Sequence, residues 1–177
     1  MGRARTPVER SPGLNARKES RSETQAIVSL GSNVEPRADY LRRAVDELSA
    51  LPETRFVRAS SVIETEPVDV PAEFAAMKFL NQVAVFATRL EPLDFSRRMH
   101  GVEDRLGRVR TVRNGPRTID VDLVDFGGLR LTSPELTLPH PRACQRNFVL
   151  RPLAELGLTV FGTYGGNSES EKGANRW

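Results

Sequence analysis

The stretch of residues 107–128, GRVRTVRNGPRTIDVDLVDFGG, decides how the rest of the chain is interpreted. Over residues 118–126 apolar residues alternate with Asp120 and Asp122, and this period of two predicts a strand that carries both aspartates on one face. Gly127 and Gly128 then suit a tight turn. Because aspartate is a poor strand former, two of them in an otherwise apolar strand indicate a function.

The two carboxylates are suited to a metal that is bound to phosphate. Side chains at i and i+2 of a strand lie roughly 7 Å apart at Cα, and Mg²⁺ is typically held by one or two carboxylates plus substrate phosphates. The first half of the stretch adds guanidinium groups, which match phosphate oxygens, at Arg108, Arg110, Arg113 and Arg117. The combination predicts a site for a magnesium-bound polyphosphate. The alternative is an edge strand whose aspartates face water beside a solvated basic loop.

The composition indicates one soluble domain with tails. The chain has 177 residues, 38% of them hydrophobic and 28% charged, and contains neither a transmembrane-length apolar run nor a signal-peptide pattern. Cys144 is the single cysteine, which excludes an internal disulfide and a cysteine-based zinc site. We therefore expect a cytoplasmic protein that has no membrane partner.

The net charge of +3 comes from the N-terminal end, because residues 1–24 hold six basic and three acidic residues and the remainder is balanced. A neutral body argues against a nucleic-acid partner. We predict a disordered basic tail over residues 1–24, a folded domain over residues 25–160 and a disordered polar tail over residues 161–177.

Hydrophobic periodicity predicts an α+β fold. Strands are expected at residues 25–30, 55–63, 79–88 and 118–126, a short strand at residues 129–131 is expected to pair back, and residues 64–78 are expected to form a loop. Helices are expected at residues 36–51, 91–106 and 147–156. The order βαββαβ matches a ferredoxin-like sandwich, a mainly antiparallel sheet with helices packed on it.

Several short motifs resemble one enzyme family. They are Gly31-Ser32-Asn33 after the first strand, Phe79-Leu80-Asn81, Glu103 with Gly107-Arg108-Val109-Arg110, Gly115-Pro116-Arg117-Thr118-Ile119-Asp120-Val121-Asp122, Pro139-His140-Pro141, and Arg146 with Phe148-Val149-Leu150. In this order and spacing, over about residues 27–156, they closely resemble the 6-hydroxymethyl-7,8-dihydropterin pyrophosphokinase family of folate biosynthesis.

The resemblance implies transfer of a pyrophosphoryl group from ATP, the co-substrate, to the pterin hydroxymethyl group, with release of AMP. It implies that Asp120 and Asp122 hold two Mg²⁺ ions, and that Arg108 supports the arginine loop with Glu103 as its ion-pair partner. The resemblance further assigns the nucleotide to Arg110, Arg113, Arg117, Leu123, His140 and Arg146, the first and third of these arginines also serving catalysis. It assigns the pterin to Thr65, Phe79, Asn81 and Phe148. The family also implies a monomer that acts on small molecules.

The sequence departs from the family pattern in its loops. The arginine loop is one residue shorter than expected, Asn114 stands where the family often has tryptophan, Glu66 replaces a proline, and Pro141 stands where an aromatic residue is common. The metal and triphosphate positions match the family pattern, whereas the loops that are expected to close over the substrates are altered. One alternative is therefore a degenerate relative that binds pterin or nucleotide without turnover. A second is an RNA-recognition domain of the same element order, but its central strands carry stacking aromatics where this chain has two aspartates.

Overall fold

The computed structural model describes residues 21–109 and 115–163 of the chain. Its strands are β1 Thr24–Ser32, β2 Thr54–Ala59, β3 Ile63–Thr65, β4 Phe79–Thr88, β5 Asp120–Phe126, β6 Leu131–Thr132, β7 Thr137–Leu138, β8 Leu158–Thr159 and β9 Gly162–Thr163. Its helices are α1 Arg37–Ser49, α2 Pro92–Arg105 and α3 Asn147–Glu155, with short 3₁₀ turns at Ala72–Phe74 and Ala143–Gln145. Within residues 21–109 and 115–163 no helix combines the length and the apolar composition needed to cross a membrane.

The main sheet has the strand order β2-β4-β1-β5, and β3 also pairs with β4. Every neighbouring pair is antiparallel. The inner strand β1 is buried from Ala26 onwards, as its nearly continuous apolar sequence requires. The described residues thus form a mixed α/β fold with an antiparallel sheet and three helices.

The sheet is covered on both faces. One face packs against α1 and α2 through a core that includes Val28, Leu41, Phe86, Met99 and Val121. The other face packs against α3 and the β8–β9 hairpin in a second cluster, which includes Ile27, Val85, Val124, Val149 and Leu153. The second cluster covers only part of its face, and the uncovered end of that face carries polar side chains.

Most predicted elements are confirmed, including β4 over Phe79–Thr88 and α1 directly after Pro36. The prediction of one strand over residues 55–63 is wrong, because the chain leaves the sheet at Ser60 and Ser61. The Ser60 hydroxyl accepts a hydrogen bond from the Val83 amide at 3.1 Å, and the Ser61 amide donates to Glu155 at 2.7 Å. Ser60 keeps one backbone bond, from its amide to the Val83 carbonyl at 2.9 Å, and the regular strand pairing resumes at β3 inside the predicted loop.

The short strand that was expected at residues 129–131 was also placed incorrectly. The strand is Leu131–Thr132, and it pairs with Thr137–Leu138 in a separate hairpin instead of returning to β5. The two predicted tails fall largely on residues 1–20 and 164–177, which lie outside the described residues. At their inner ends, Thr24 begins β1, and Gly162–Thr163 pairs with β8.

Candidate active site

Three strands bring their polar residues together beyond the N-terminal end of α3. Gly31 of β1 lies opposite Asn81 of β4 on one side and opposite Asp120 of β5 on the other. Since side chains alternate along each strand, these positions and Asp122 project from the α3 face, away from α1 and α2. A Cβ atom at Gly31 would lie 3.1 Å from Asn81 Oδ1, so the close approach favours glycine.

Asp120 lies between two guanidinium groups. Arg108 Nη1 is 2.7 Å from Asp120 Oδ1, and Arg117 Nη1 is 2.7 Å from Asp120 Oδ2. Both arginines keep less than a fifth of their side-chain surface exposed, at 15% and 18%. The carboxylate therefore has a concentrated positive field around it, and an anion bound here would share that field.

Glu103 of α2 supports this arrangement from the face of the sheet that packs against α1 and α2. Its carboxylate forms an ion pair with Arg108 and accepts a hydrogen bond from the Val121 amide at 2.7 Å. Burial raises the pKa of Glu103, against the opposing attraction of Arg108. The ion pair between Arg108 and Glu103 that the resemblance implied is confirmed, and the bond from Val121 to Glu103 holds the backbone between Asp120 and Asp122.

Asp122 faces a guanidinium group and an imidazole ring. Arg146 Nη1 lies 3.4 Å from Asp122 Oδ2, and His140 Nε2 lies 3.9 Å from Asp122 Oδ1. Burial and the neighbouring Asp120 raise the pKa of Asp122, and burial lowers the pKa of His140 despite the attraction of Asp122. A divalent cation at this point would reverse the effect on Asp122, because an opposite charge favours the carboxylate form.

A cavity opens over β1, β4 and β5, and it contains the residues that were predicted to bind a heterocycle. Asn81 Nδ2 donates to Thr65 Oγ1 at 2.8 Å. Phe79 and Phe148 line the same cavity. Arg117 lies over the Phe79 ring at 5.5 Å, and Arg146 lies over the Phe148 ring at 5.4 Å. Two aromatic rings and a fixed amide suit a flat polar ring system.

A second cavity lies on the other side of Asp122, between β5, α2 and the segment before α3. Its lining includes Met99, Leu123, Leu136 and His140 together with Asp122. The His140 amide donates to the Val124 carbonyl at 2.9 Å, which fixes the histidine against the edge of β5. Asp122 borders both cavities, so ligands in the two cavities would meet at the carboxylate pair.

The structure brings most of the predicted site residues together. Around the first cavity or the carboxylates lie Thr65, Phe79, Asn81, Arg117, Asp120, Asp122, Arg146 and Phe148, with His140 on the other side of Asp122. The Leu123 side chain is 4% exposed and packs in the core under α2, so it reaches the second cavity only as part of its floor. Arg110 and Arg113 lie outside the described residues.

Sequence reasoning missed Ser29 and Arg142, which also line the first cavity. Ser29 follows the period of two along β1, in phase with Gly31, and this phase was the available signal. Arg142 lies four residues before Arg146 in a loop, and the local sequence has no periodicity that would predict the direction of its side chain.

The carboxylates fit magnesium only with help from a ligand. Among residues 21–109 and 115–163 no group of three or more His, Cys, Asp or Glu side chains could hold a metal ion. Mg²⁺ is usually held by one or two carboxylates together with substrate phosphates, and the guanidinium groups beside Asp120 and Asp122 could bind such phosphates. Asp120 and Asp122 could thus hold the ion once phosphates occupy the surrounding arginines.

The antiparallel sheet, the paired carboxylates and the surrounding arginines define a phosphate-transferring enzyme of the mixed α/β class. The profile of the 7,8-dihydro-6-hydroxymethylpterin-pyrophosphokinase (HPPK) family matches residues 27–157. A 2-amino-4-hydroxy-6-hydroxymethyldihydropteridine pyrophosphokinase of Pseudomonas aeruginosa is 41% identical over 132 residues, covering 75% of this chain and 80% of the relative. The Bacillus subtilis protein of the same name is 39% identical over 131 residues, covering 74% of this chain and 77% of the relative. The chain belongs to the HPPK family.

Solved structures agree on the fold. The wild-type HPPK-DHPS of Plasmodium falciparum crystallised with pteroate has a TM-score of 0.57 and 14% sequence identity, and the match covers 77% of this chain and 39% of that one. The match therefore spans well under half of that longer protein. At this identity the likeness concerns the fold alone.

Proposed function

We propose that this chain, a diphosphate-transferring enzyme of folate biosynthesis, moves the β- and γ-phosphates of ATP to the hydroxymethyl group of 6-hydroxymethyl-7,8-dihydropterin and releases AMP. The observation that carries the proposal is the position of Asp120 and Asp122 on one strand face, with Asp122 between the two cavities and cations around both. This position suits a triphosphate that reaches from one cavity toward a pterin in the other. None of the findings favours the degenerate alternative.

The pterin would occupy the first cavity. Asn81 and Thr65 offer hydrogen-bonding groups to its ring edge, and Phe79 and Phe148 offer apolar faces to its plane. A buried amide requires partners, and the 3% exposed Asn81 would exchange or share its bond to Thr65 when the ring binds. These contacts orient the hydroxymethyl group toward Asp120 and Asp122.

The adenine end of ATP would occupy the second cavity beside His140, with its phosphates extending along Asp122. The hydroxymethyl oxygen attacks the β-phosphorus and gives up its proton to solvent. The bond from the β-phosphorus to the oxygen that bridges it to the α-phosphorus breaks, and AMP leaves with that oxygen. No covalent enzyme intermediate is required, since positioning and electrostatics account for most of such catalysis.

The arginines would change partners during this step. Arg117 and Arg146 now form ion pairs with Asp120 and Asp122, and phosphate oxygens would compete for the same guanidinium groups. Arg110 and Arg113, from the arginine loop, would add to this charge. Asp120 and Asp122 would hold the two Mg²⁺ ions, whose charge would offset that of the transferred group.

The finer structural assignments belong to the same proposal. The strand order β2-β4-β1-β5 supports a ferredoxin-like topology for a catalytic domain over residues 25–160, flanked by tails. We assign the protein to the cytoplasm, as its composition indicates, and describe it as a monomer that acts on small molecules, as the family resemblance implies. The electrical balance of the body outside residues 1–24 argues against a nucleic-acid partner.

The test is the nucleotide product formed from ATP, Mg²⁺ and 6-hydroxymethyl-7,8-dihydropterin, separated by anion-exchange chromatography. We expect AMP, and only when the pterin is present. Formation of ADP would instead show transfer of a single phosphoryl group. If both ligands bind but neither product forms, the chain is the degenerate relative.

Two variants connect the result to the carboxylates. Asp120→Asn should lower kcat at least about a hundredfold, since it removes a charge that acts on the transferred group. Asp46→Asn is the matched control, because Asp46 lies on the surface of α1 and pairs only with Arg42 of the same helix among the described contacts. Equal activity of both variants would contradict the metal assignment.

A further inference from the structure

Residues 33–37, which we call the strap, comprise the link from β1 to α1 and the first residue of α1, and they contact both halves of the site. One end of the strap bonds to Arg117, beside Asp120. The other end bonds to β3 and to the residue before β4, next to the two positions that line the pterin side. These partners are 27 to 84 residues away in sequence, so the strap connects parts of the chain that are distant from it in sequence.

Asn33 holds the backbone of Arg117 from two directions. The backbone amide of Asn33 donates to the Arg117 carbonyl at 3.3 Å, and its side-chain Oδ1 accepts from the Arg117 backbone amide at 2.7 Å. Asn33 is 5% exposed, and its Nδ2 is buried without a hydrogen-bond partner in the described part of the chain. This buried two-point contact fixes the Arg117 backbone, from which the side chain extends. The Arg117 guanidinium contacts both Asp120 and the Phe79 ring.

Arg37 forms the corresponding contact on the pterin side. Its Nη1 donates to Glu64 Oε2 at 3.0 Å and to the Lys78 carbonyl at 3.1 Å, while its Nε donates to Glu35 at 2.7 Å. Glu64 immediately precedes Thr65, and Lys78 immediately precedes Phe79. Arg37 therefore joins the two ends of the loop between β3 and β4 just outside the residues that line the cavity.

A second ion pair closes the same loop from its other side. Lys78 Nζ lies 2.8 Å from Glu66 Oε1, and both side chains are largely exposed. Exposed pairs contribute little by themselves. The Arg37 side chain differs, since only 20% of it is exposed and its bonds to Glu64 and Lys78 converge on one guanidinium.

We propose that the strap positions the two substrates relative to each other: Arg37 sets the geometry of the pterin pocket through Glu64 and Lys78, and Asn33 sets the position of Arg117 at the phosphate site. This inference rests on the proposed function for the identity of the substrates. Both are positioning residues, because they act on the ligands through other groups. The two ends of the strap have different partners, so their loss has different kinetic effects.

The first experiment measures binding, which does not depend on turnover. Isothermal titration calorimetry gives the Kd of α,β-methylene ATP with Mg²⁺, and then the Kd of 6-hydroxymethylpterin in its presence; the analogue cannot break the bond that the reaction breaks. Arg37→Ala should raise the pterin Kd about fivefold and change the nucleotide Kd less than about twofold. Glu64→Ala, which removes the partner, should reproduce this pattern.

Arg42→Ala is the matched control. Arg42 lies on the same helix as Arg37, is 64% exposed, and pairs only with Asp39 and Asp46 of that helix among the described contacts. It should bind both ligands as the unaltered protein does. Equal weakening of both ligands by Arg37→Ala, or unchanged pterin binding in both Arg37→Ala and Glu64→Ala, would overturn the pterin half of the proposal.

The second experiment is a double-variant cycle on kcat. Asn33→Ala should lower kcat about tenfold with little change in the pterin KM, because it displaces Arg117. In an Arg117→Ala background the same change should have less than about a twofold effect. If the effects of Asn33→Ala and Arg117→Ala on kcat were fully additive, the part of the proposal that concerns the phosphate site would be overturned. If the unaltered protein forms no AMP, the proposed function fails, and the coupling is then measured on the nucleotide Kd.

Discussion

Replacement of Glu103 by alanine is expected to lower the free energy of unfolding by about 3–5 kcal/mol. Glu103 is 1% exposed, and its carboxylate forms an ion pair with the largely buried Arg108 and accepts from the Val121 amide. The change leaves a buried cation with less compensation and removes the acceptor of a buried backbone donor. For a chain of this size the loss corresponds to a fall of about 6–20 °C in Tm.

Urea denaturation followed by circular dichroism measures this change, with two comparisons. Glu103→Gln keeps an oxygen for the Val121 amide and should cost less, about 1–3 kcal/mol. Glu47→Ala removes a helix-surface ion pair with Arg105 and should cost at most about 1 kcal/mol. If Glu103→Ala were no more destabilising than Glu47→Ala, the buried pair would not support β5 as inferred.

Three further predictions concern particular backbone and buried positions. Gly31→Ala places a Cβ atom 3.1 Å from Asn81 Oδ1 and should weaken pterin binding, measured by calorimetry, while the nucleotide Kd stays unchanged. Gly127→Ala should destabilise the fold more than Gly128→Ala, by comparison of urea midpoints. Both glycines have positive φ, which costs about 1–2 kcal/mol for alanine, but only the Gly127 Cβ meets a side chain, at 2.6 Å; equal losses would contradict this. Burial raises the pKa of Asp125 above its ordinary 3.8, so its ionised form costs stability as pH rises through the raised pKa. Asp125→Asn should therefore raise Tm at about pH 8 and lose this advantage near about pH 4; a Tm gain that is independent of pH would refute the assignment.

Local patterns predicted the parts of the fold that depend on local physics. The alternation around Asp120 and Asp122 placed both carboxylates on one strand face, because the direction of a side chain in a strand depends only on its parity. The break after β2 could not be found in this way. It depends on Ser61 binding Glu155, 94 residues away, and no local property of the serines requires that contact.

Burial of charge was the second property that the sequence did not reveal. A glutamate on a helix is usually at the surface, yet Glu103 is buried because Val121 and Arg108 supply a donor and a cation. The family resemblance named His140 and Phe148 as ligand-binding residues, and the structure places both beside the cavities. Neither residue has a sequence pattern that would separate it from an ordinary loop histidine or core phenylalanine.

The direction of β1 has a practical consequence for experiments on immobilised protein. The strand begins at Thr24, which pairs with Thr88, and first reaches the cavity at Ser29. At about 3.3 Å per residue, its first residue lies roughly 17 Å from the cavity. A surface anchor or a fluorescent label attached ahead of Thr24 would leave the substrate entrance facing solution, so single-molecule recordings of ligand exchange are feasible from that end.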